Sequence, residues 1–224
     1  MTQRIDFVSR DGKPTVGELA LPAEPGKHPA VIVAHEWYGL NDDMRRICER
    51  FASEGVVALA VDLFDGRVTT DTEVAKQLAH DMKTADAVEI IAGATERLMS
   101  HPRVNGKVFA AGFCLGGAMA LAASCKVMEL AGAIGFYGVP GAQHVDWSEN
   151  RCPTLGHFGK EDQAIPVEKA EALFASMREA GVDATLYLYD AGHAFMREHD
   201  PKAYDERAAK VAWARTIDFI RKRA

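Results

Sequence analysis

Three consecutive runs decide the fold: Lys107-Val-Phe-Ala-Ala111, Gly112-Phe-Cys-Leu-Gly-Gly117 and Ala118-Met-Ala-Leu-Ala-Ala123. The first is a short apolar, strand-like stretch and the third is helix-like. The glycine-flanked segment between them matches the G-x-S-x-G nucleophile elbow with cysteine in place of serine. An elbow is a sharp strand–turn–helix bend that pushes one side chain out at the top of a sheet. Glycines flank it because a Cβ there would strike the neighbouring strand or helix. Taken alone, the pentapeptide also fits a buried structural cysteine in a Gly-rich turn, so the surrounding chain has to decide.

Outward from the elbow, strands alternate with helices. Arg4–Ser9 and Val16–Leu21 read as an antiparallel hairpin turned at Asp11-Gly12. Ala30–Ala34 and Val56–Val61 are continuous apolar runs of the kind buried on both faces of a sheet. Between them, Asn41–Glu54 reads as a helix with Asn41 as N-cap and Met44, Ile47, Cys48 and Phe51 on one face. Asp71–Met82 and Thr84–Met99 are two further helices before the elbow strand, the second carrying the stripe Val88, Ile91, Thr95 and Leu98. After the elbow, Leu130–Tyr137, Cys152–Phe158 and Ala184–Tyr189 read as strands, and Val167–Ala180 and Tyr204–Arg221 as helices. An antiparallel start followed by strand–helix alternation predicts an α/β fold, with a mostly parallel central sheet and helices on both faces. No repeat, low-complexity tract or linker interrupts it, so residues 1–224 are expected to form one domain.

Composition narrows the function classes. The 224 residues suffice for a full core, and 48% apolar and 26% charged residues are ordinary for a globular protein. A net charge of −6 gives no electrostatic footprint for nucleic acid or an anionic membrane. No apolar run approaches a membrane span, and the start Met1-Thr-Gln-Arg-Ile-Asp6 lacks the apolar core of a signal peptide. The four cysteines at 48, 114, 125 and 152 are scattered without a C-x-x-C pair, which speaks against a disulfide framework or a zinc site. A cytoplasmic location is the expectation, since a reducing compartment suits a free thiol. No cofactor or metal is called for, and the chain is expected to be a monomer or small homo-oligomer.

In a sheet of this kind, chemistry gathers outside the C-terminal ends of the strands. Four places there carry polar residues: His35-Glu-Trp-Tyr-Gly39, Cys114, Gly159-Lys-Glu-Asp162 and Ala191-Gly-His-Ala-Phe195. The chain order nucleophile, acid, histidine is that of the α/β-hydrolase fold. In that arrangement His193 takes the proton of Cys114 and later protonates the leaving oxygen. Asp162 orients the imidazole, with Glu161 as the fallback acid. The backbone N–H groups of Leu115 and Trp37 are the natural donors to a tetrahedral oxyanion. His35, His144 and His157 read as structural, as do Cys48, Cys125 and Cys152.

With these residues in place the chain resembles the dienelactone hydrolase family. Carrying the resemblance are Glu36 with Gly39, Asp62-Leu-Phe64, Gly112–Gly117, Phe136-Tyr-Gly138, Gly159 with Asp162, and Ala191–Phe195. The resemblance implies Cys114, Asp162 and His193 as catalytic triad. It also implies a role for Glu36, beside the resting thiol and active when substrate binds. A carboxylate next to a thiol disfavours the thiolate and guards it from oxidation. Among the arginines that hold the substrate carboxylate in the family, Arg197 is matched. The other is not, since 71–83 contains Lys76 and Lys83 but no arginine, with Arg67 nearby. Ala194 stands where a serine commonly follows the histidine. Tyr38 and Phe195 join Arg197 as candidate substrate contacts.

The function expected from these residues is a thiol hydrolase that opens a small lactone or carboxylic ester through an acyl-cysteine. The alternatives are an esterase or acyl-transfer enzyme for another ester or thioester class, or a non-catalytic ligand-binding or redox-reactive thiol protein.

Overall fold

The computed structural model describes residues 1–224. Its elements are β1 (Gln3–Val8), β2 (Pro14–Ala20), β3 (His28–Ala34), α1 (Asp42–Ser53), β4 (Val57–Val61), α2 (Thr72–Asp81), α3 (Thr84–Met99), β5 (Val104–Phe113), α4 (Leu115–Ala123), β6 (Leu130–Phe136), β7 (Thr154–Gly159), α5 (Val167–Glu179), β8 (Ala184–Tyr189) and α6 (Glu206–Arg221). Two single-turn 3-10 segments, Ala142–His144 and Trp147–Glu149, precede β7.

All eight strands form one sheet in the order β1-β2-β4-β3-β5-β6-β7-β8. β1 pairs antiparallel with β2 and β2 with β4; every other pair is parallel. This is the α/β-hydrolase fold that the alternation of runs predicts. The strands buried on both faces divide their side chains between two cores. Ala30, Ile32 and Ala34 of β3 face a core closed by α2, α3, α4 and α5, while Val31 and Val33 face one closed by α1 and α6. Period-2 alternation is invisible in an all-apolar strand, so the sequence shows the burial but not which face each residue takes.

Chain direction across the sheet reverses beside β3. The path runs from β3 outward to β4, then returns past β3 to β5, with Ala34 in register with Gly112. Such a reversal leaves a crevice at the C-terminal ends of the two strands. At it lie Glu36–Tyr38, shortly after β3, and the residue after β5, Cys114. The helix that follows β3 starts where the sequence says: Asn41 Oδ1 accepts from the N–H groups of Asp43 and Met44 at 3.1 and 3.3 Å, with Asp42 and Asp43 in the first turn.

One buried polar group belongs to the core rather than to that crevice. His157 on β7 is fully buried, 2.7 Å from the Tyr189 hydroxyl and 3.0 Å from Thr216 of α6. Burial first, then the charge of Arg215, pushes its pKa down to about 3, so it is a neutral part of the core.

Candidate active site

The elbow is built by close approach. Cys114 takes φ 51° and ψ −114°, a conformation L-residues rarely hold. A Cβ on Gly112 would run into the carbonyl of Gly116, and one on Gly138 into the carbonyl of Cys114. A Cβ on Gly116 would meet the carbonyls of Ala34 and His35, the latter at 2.6 Å. α4 therefore lies directly against the end of β3, which sets Cys114 and Leu115 beside the turn at 36–37. Two glycines in a helix cost about 1 kcal/mol each relative to alanine; here they are what lets the helix dock.

The other two triad candidates are brought together by β7 and β8. Lys160 N–H donates to Tyr189 O at 2.7 Å and Glu161 N–H to Ala191 O at 3.0 Å, lacing the two strand-end loops together. His193 Nδ1 lies 2.7 Å from Asp162 Oδ2, and its Nε2 lies 3.2 Å from Cys114 Sγ. The other Asp162 oxygen, Oδ1, accepts from Ala164 and Ile165 N–H at 2.8 and 2.9 Å. Burial pushes the Asp162 carboxyl up, but the hydrogen bonds from His193, Ile165 and Ala164 outweigh it and hold the pKa below its usual value. Burial likewise opposes charge on His193. The hydrogen bonds and charges of Asp162 and Cys114 override it and raise the imidazole to about 10. Glu161 is exposed, and of the two acids it is Asp162 that hydrogen-bonds His193.

The candidate oxyanion donors are free. Neither a backbone nor a side-chain acceptor in the protein takes the N–H of Trp37, and Leu115 is the first residue of α4, where an amide has no intrahelical acceptor.

Glu36 makes its hydrogen bonds to a guanidinium and a phenol rather than to the thiol. Its Oε2 accepts from Arg197 Nε at 2.8 Å and Nη2 at 2.5 Å, and its Oε1 accepts from Tyr137 at 3.2 Å. The hydrogen bond of Cys114 goes to His193 instead. The physical reason is strength: a charge-assisted guanidinium–carboxylate pair outcompetes a weak S–H donor. Arg197 also reaches Asp200 at 3.4 Å and lies 5.2 Å over the Tyr38 ring, so those two candidates do meet.

Phe195 corrects the sequence reading more sharply. It is fully buried, with its ring 5.3 Å from Tyr137 and 5.2 Å from Tyr189. It is a core residue behind the site and has no face to offer a substrate. The loop takes this course because Ala194 adopts φ 59° and turns the chain inward after His193. Arg67 and Lys83 line a separate cavity with Lys13 and Asp81, and Lys76 pairs with Glu73 at 2.7 Å on the exposed face of α2. Of the candidate cations only Arg197 touches the site, through Glu36; Arg46 and Arg50 line the cavity beside that pair.

Tyr137 enters the sequence reading only as a strand end and within the motif Phe136-Tyr-Gly138, with no role attached. It is fully buried at the end of β6 with φ 40°, bonds Glu36, and sets its ring edge-to-face 5.1 Å from His193. Burial first, then the charges of Glu36 and Cys114, raises its pKa well above normal, so it acts as a neutral donor. Its position just after a strand end is the signal that could have found it.

The dienelactone hydrolase family model matches residues 16–224. The chain belongs to the dienelactone hydrolase family. It is 30% identical to the protein usf of Aquifex pyrophilus over 230 residues, spanning 99% of this chain and 98% of that one. It is 29% identical to a carboxymethylenebutenolidase of a Pseudomonas species, spanning 99% and 96%. Among solved structures, m3DLH superposes with a TM-score of 0.87 at 26% identity, over 100% of this chain and 98% of that one. A dienelactone hydrolase-like promiscuous phosphotriesterase from metagenomic libraries superposes with a TM-score of 0.86 at 23% identity, over 100% and 98%, a likeness of fold. Membership makes the chain a hydrolase of this family. No helix is long and apolar enough to cross a membrane.

Proposed function

We propose that the protein hydrolyses a small lactone or carboxylic ester through an acyl-Cys114 intermediate. The observation that carries this is the continuous chain Asp162–His193–Cys114, with hydrogen-bond distances of 2.7 and 3.2 Å, on an elbow whose helix N-terminus supplies a free amide. His193 accepts the thiol proton and Asp162 stabilises the resulting imidazolium. The Cys114 sulfur adds to the ester carbonyl, whose oxygen collects negative charge and is met by the Leu115 and Trp37 amides. Collapse expels the alkoxide, which takes the proton from His193. Water, deprotonated by His193, then attacks the thioester and releases the carboxylate and the free thiol.

Arg197 suggests which substrates. A substrate carboxylate can bind it only by displacing Glu36, and the displaced Glu36 would be free to turn toward the thiol. This gives Glu36 its proposed role in activation upon binding of an acidic substrate. A second reading follows from the same contact: with Glu36 in place the charge of Arg197 is already neutralised, which suits an uncharged ester.

Purified protein assayed on cis-dienelactone, on simple lactones and on p-nitrophenyl acetate separates the two readings. The acidic lactone should be favoured in kcat/KM if Arg197 binds substrate, and lose that advantage in Arg197→Gln. Equal turnover of all three by Cys114→Ala and wild type would sink the proposal.

A further inference from the structure

The oxyanion site proposed above needs the N–H of Trp37 to point at the reacting carbonyl. That amide lies in a turn outside any helix or strand, so no ladder of hydrogen bonds fixes its direction. What does fix it is the other end of the same peptide group. The Glu36 carbonyl oxygen lies 2.6 Å from His35 Nδ1 and also accepts the longer turn bond from Gly39 N–H at 3.2 Å, so the imidazole is its shorter and only side-chain partner. A peptide is planar and trans, so its C=O and N–H point in opposite directions. Holding the oxygen of the Glu36–Trp37 peptide therefore aims the Trp37 N–H.

The imidazole that does this is itself fixed. Leu63 N–H donates to His35 Nε2 at 3.0 Å. A backbone N–H can only donate, so Nε2 carries no proton and Nδ1–H is the donor to the Glu36 carbonyl. Protonating His35 would put two donors face to face at Nε2. The ring is fully buried, and its edge packs 4.7 Å from Phe64. Leu63 is in turn held by the loop after β4, where Asp62 accepts from Phe64 N–H at 2.9 Å and Gly66 N–H at 2.5 Å. On the opposite side, the tight contact of Gly116 with the Ala34 and His35 carbonyls keeps the α4 amide of Leu115 beside the same turn. The relay runs from the β4 loop through one imidazole to a single peptide plane.

We infer that His35 is a positioning residue of this hydrolase, holding the Glu36–Trp37 peptide so that the Trp37 amide faces the oxyanion. The inference rests on the acyl-cysteine reading above. It leaves the thiol chemistry to Cys114 and His193 and assigns His35 no proton transfer.

Two substitutions separate this role from simple packing, because each keeps one of the two hydrogen bonds. In His35→Asn the side-chain amide nitrogen can take the place of Nδ1 and donate to the Glu36 carbonyl, while the Leu63 bond is lost. In His35→Gln the longer amide can present an oxygen near Nε2 to Leu63 N–H, while the bond to Glu36 is lost. Losing one oxyanion donor costs about a hundredfold or more in kcat, so misaiming one is expected to cost on the order of tenfold to a hundredfold. The Gln variant should show that loss in kcat with KM changed by less than about threefold, whereas the Asn variant should recover roughly tenfold of it. Alkylation of Cys114 by iodoacetamide uses the thiolate but no oxyanion hole, and both variants should keep the wild-type rate.

Equal kcat in the two variants, or the better rate in Gln, would overturn the inference. So would a parallel fall of kcat and alkylation, which would place His35 with the thiol instead. Failure of the acyl-cysteine reading is told apart beforehand, because it appears in wild type as turnover that persists in Cys114→Ala. If Gln folds poorly by thermal melting, the ester-to-thionoester rate ratio decides within its folded fraction: a ratio unchanged from wild type refutes the role.

Discussion

Replacing Asp162 by Asn tests the charge network with the least change in shape. Oδ1 accepts two backbone N–H groups, from Ala164 and Ile165, so the amide of the variant must keep its oxygen there. Its NH2 then faces His193 Nδ1, which has to become an acceptor. The proton moves to Nε2, pointing at Cys114, and the imidazole can no longer take the thiol proton. The magnitude follows from His193, whose pKa is raised from 6.5 to about 10. That rise corresponds to about 5 kcal/mol favouring the imidazolium, shared between Asp162 and Cys114. If Asp162 supplies about half, its loss alone removes roughly a hundredfold in rate, and the wrong tautomer extends this toward the ~10⁴ seen for the corresponding exchange in serine triads. We expect kcat on p-nitrophenyl acetate to fall by about 10² to 10⁴ and the alkaline limb of the pH profile to move to lower pH. Glu161→Gln should leave both unchanged. Retention of more than a third of the wild-type rate, with the alkaline limb in place, would refute Asp162 as the partner of His193.

Three further outcomes follow from the same geometry. Gly116→Ala gains about 1 kcal/mol of helix propensity yet meets the His35 carbonyl at 2.6 Å. Urea unfolding should show a net loss of about 1–3 kcal/mol together with reduced kcat, and a stabilised, fully active variant would contradict the docking of α4 on β3. Iodoacetamide at neutral pH should modify Cys114 alone, because Cys48, Cys125 and Cys152 are buried and burial pushes their thiol pKa values up, Cys152 to about 12; peptide mapping that finds another cysteine labelled in the folded protein would oppose this. Acid stability should carry the signature of His157. Its folded pKa of about 3 lies below the unfolded value of 6.5, so the unfolded chain binds the extra proton between them. The contribution is complete above pH 6.5 and falls by about 1.4 kcal/mol per unit as pH drops toward 3. His157→Phe should flatten the dependence of unfolding free energy on pH in that window, and an unchanged slope would show that the imidazole titrates normally.

Much of this was legible from residue order because each signal was local. The elbow glycines, the Asn41 cap and the apolar runs state their own conformation, so β8 and α3 fall on the residues expected and α1 within a residue of its expected ends. Cys114, Asp162 and His193 can be read as candidates because the fold sets each at a strand end, and the structure brings the three within hydrogen-bond reach. What was not legible depended on contacts between distant segments. The pairing of Glu36 with Arg197 spans 161 positions, and nothing near Glu36 announces a guanidinium. Phe195 looked available because it follows His193 by two residues; the inward turn at Ala194 uses a backbone conformation that sequence gives no sign of in an alanine. The roles of Tyr137 and His35 are hidden in the sequence for a related reason. Each works through one atom of a partner, Glu36 Oε1 or the Glu36 carbonyl, whose position only the folded sheet defines.

The central claim is the acyl bond to Cys114, and it can be weighed directly. Wild-type protein is mixed with excess p-nitrophenyl acetate, quenched in acid within the first turnover and digested for peptide mass measurement. The account predicts a stoichiometric release of p-nitrophenol and one acetyl group on the peptide containing Cys114, absent in Cys114→Ala and accumulating further when deacylation is slowed in His193→Gln after acylation by a more reactive ester. An acetyl group on any other residue, or steady hydrolysis with Cys114 unmodified throughout, would contradict it.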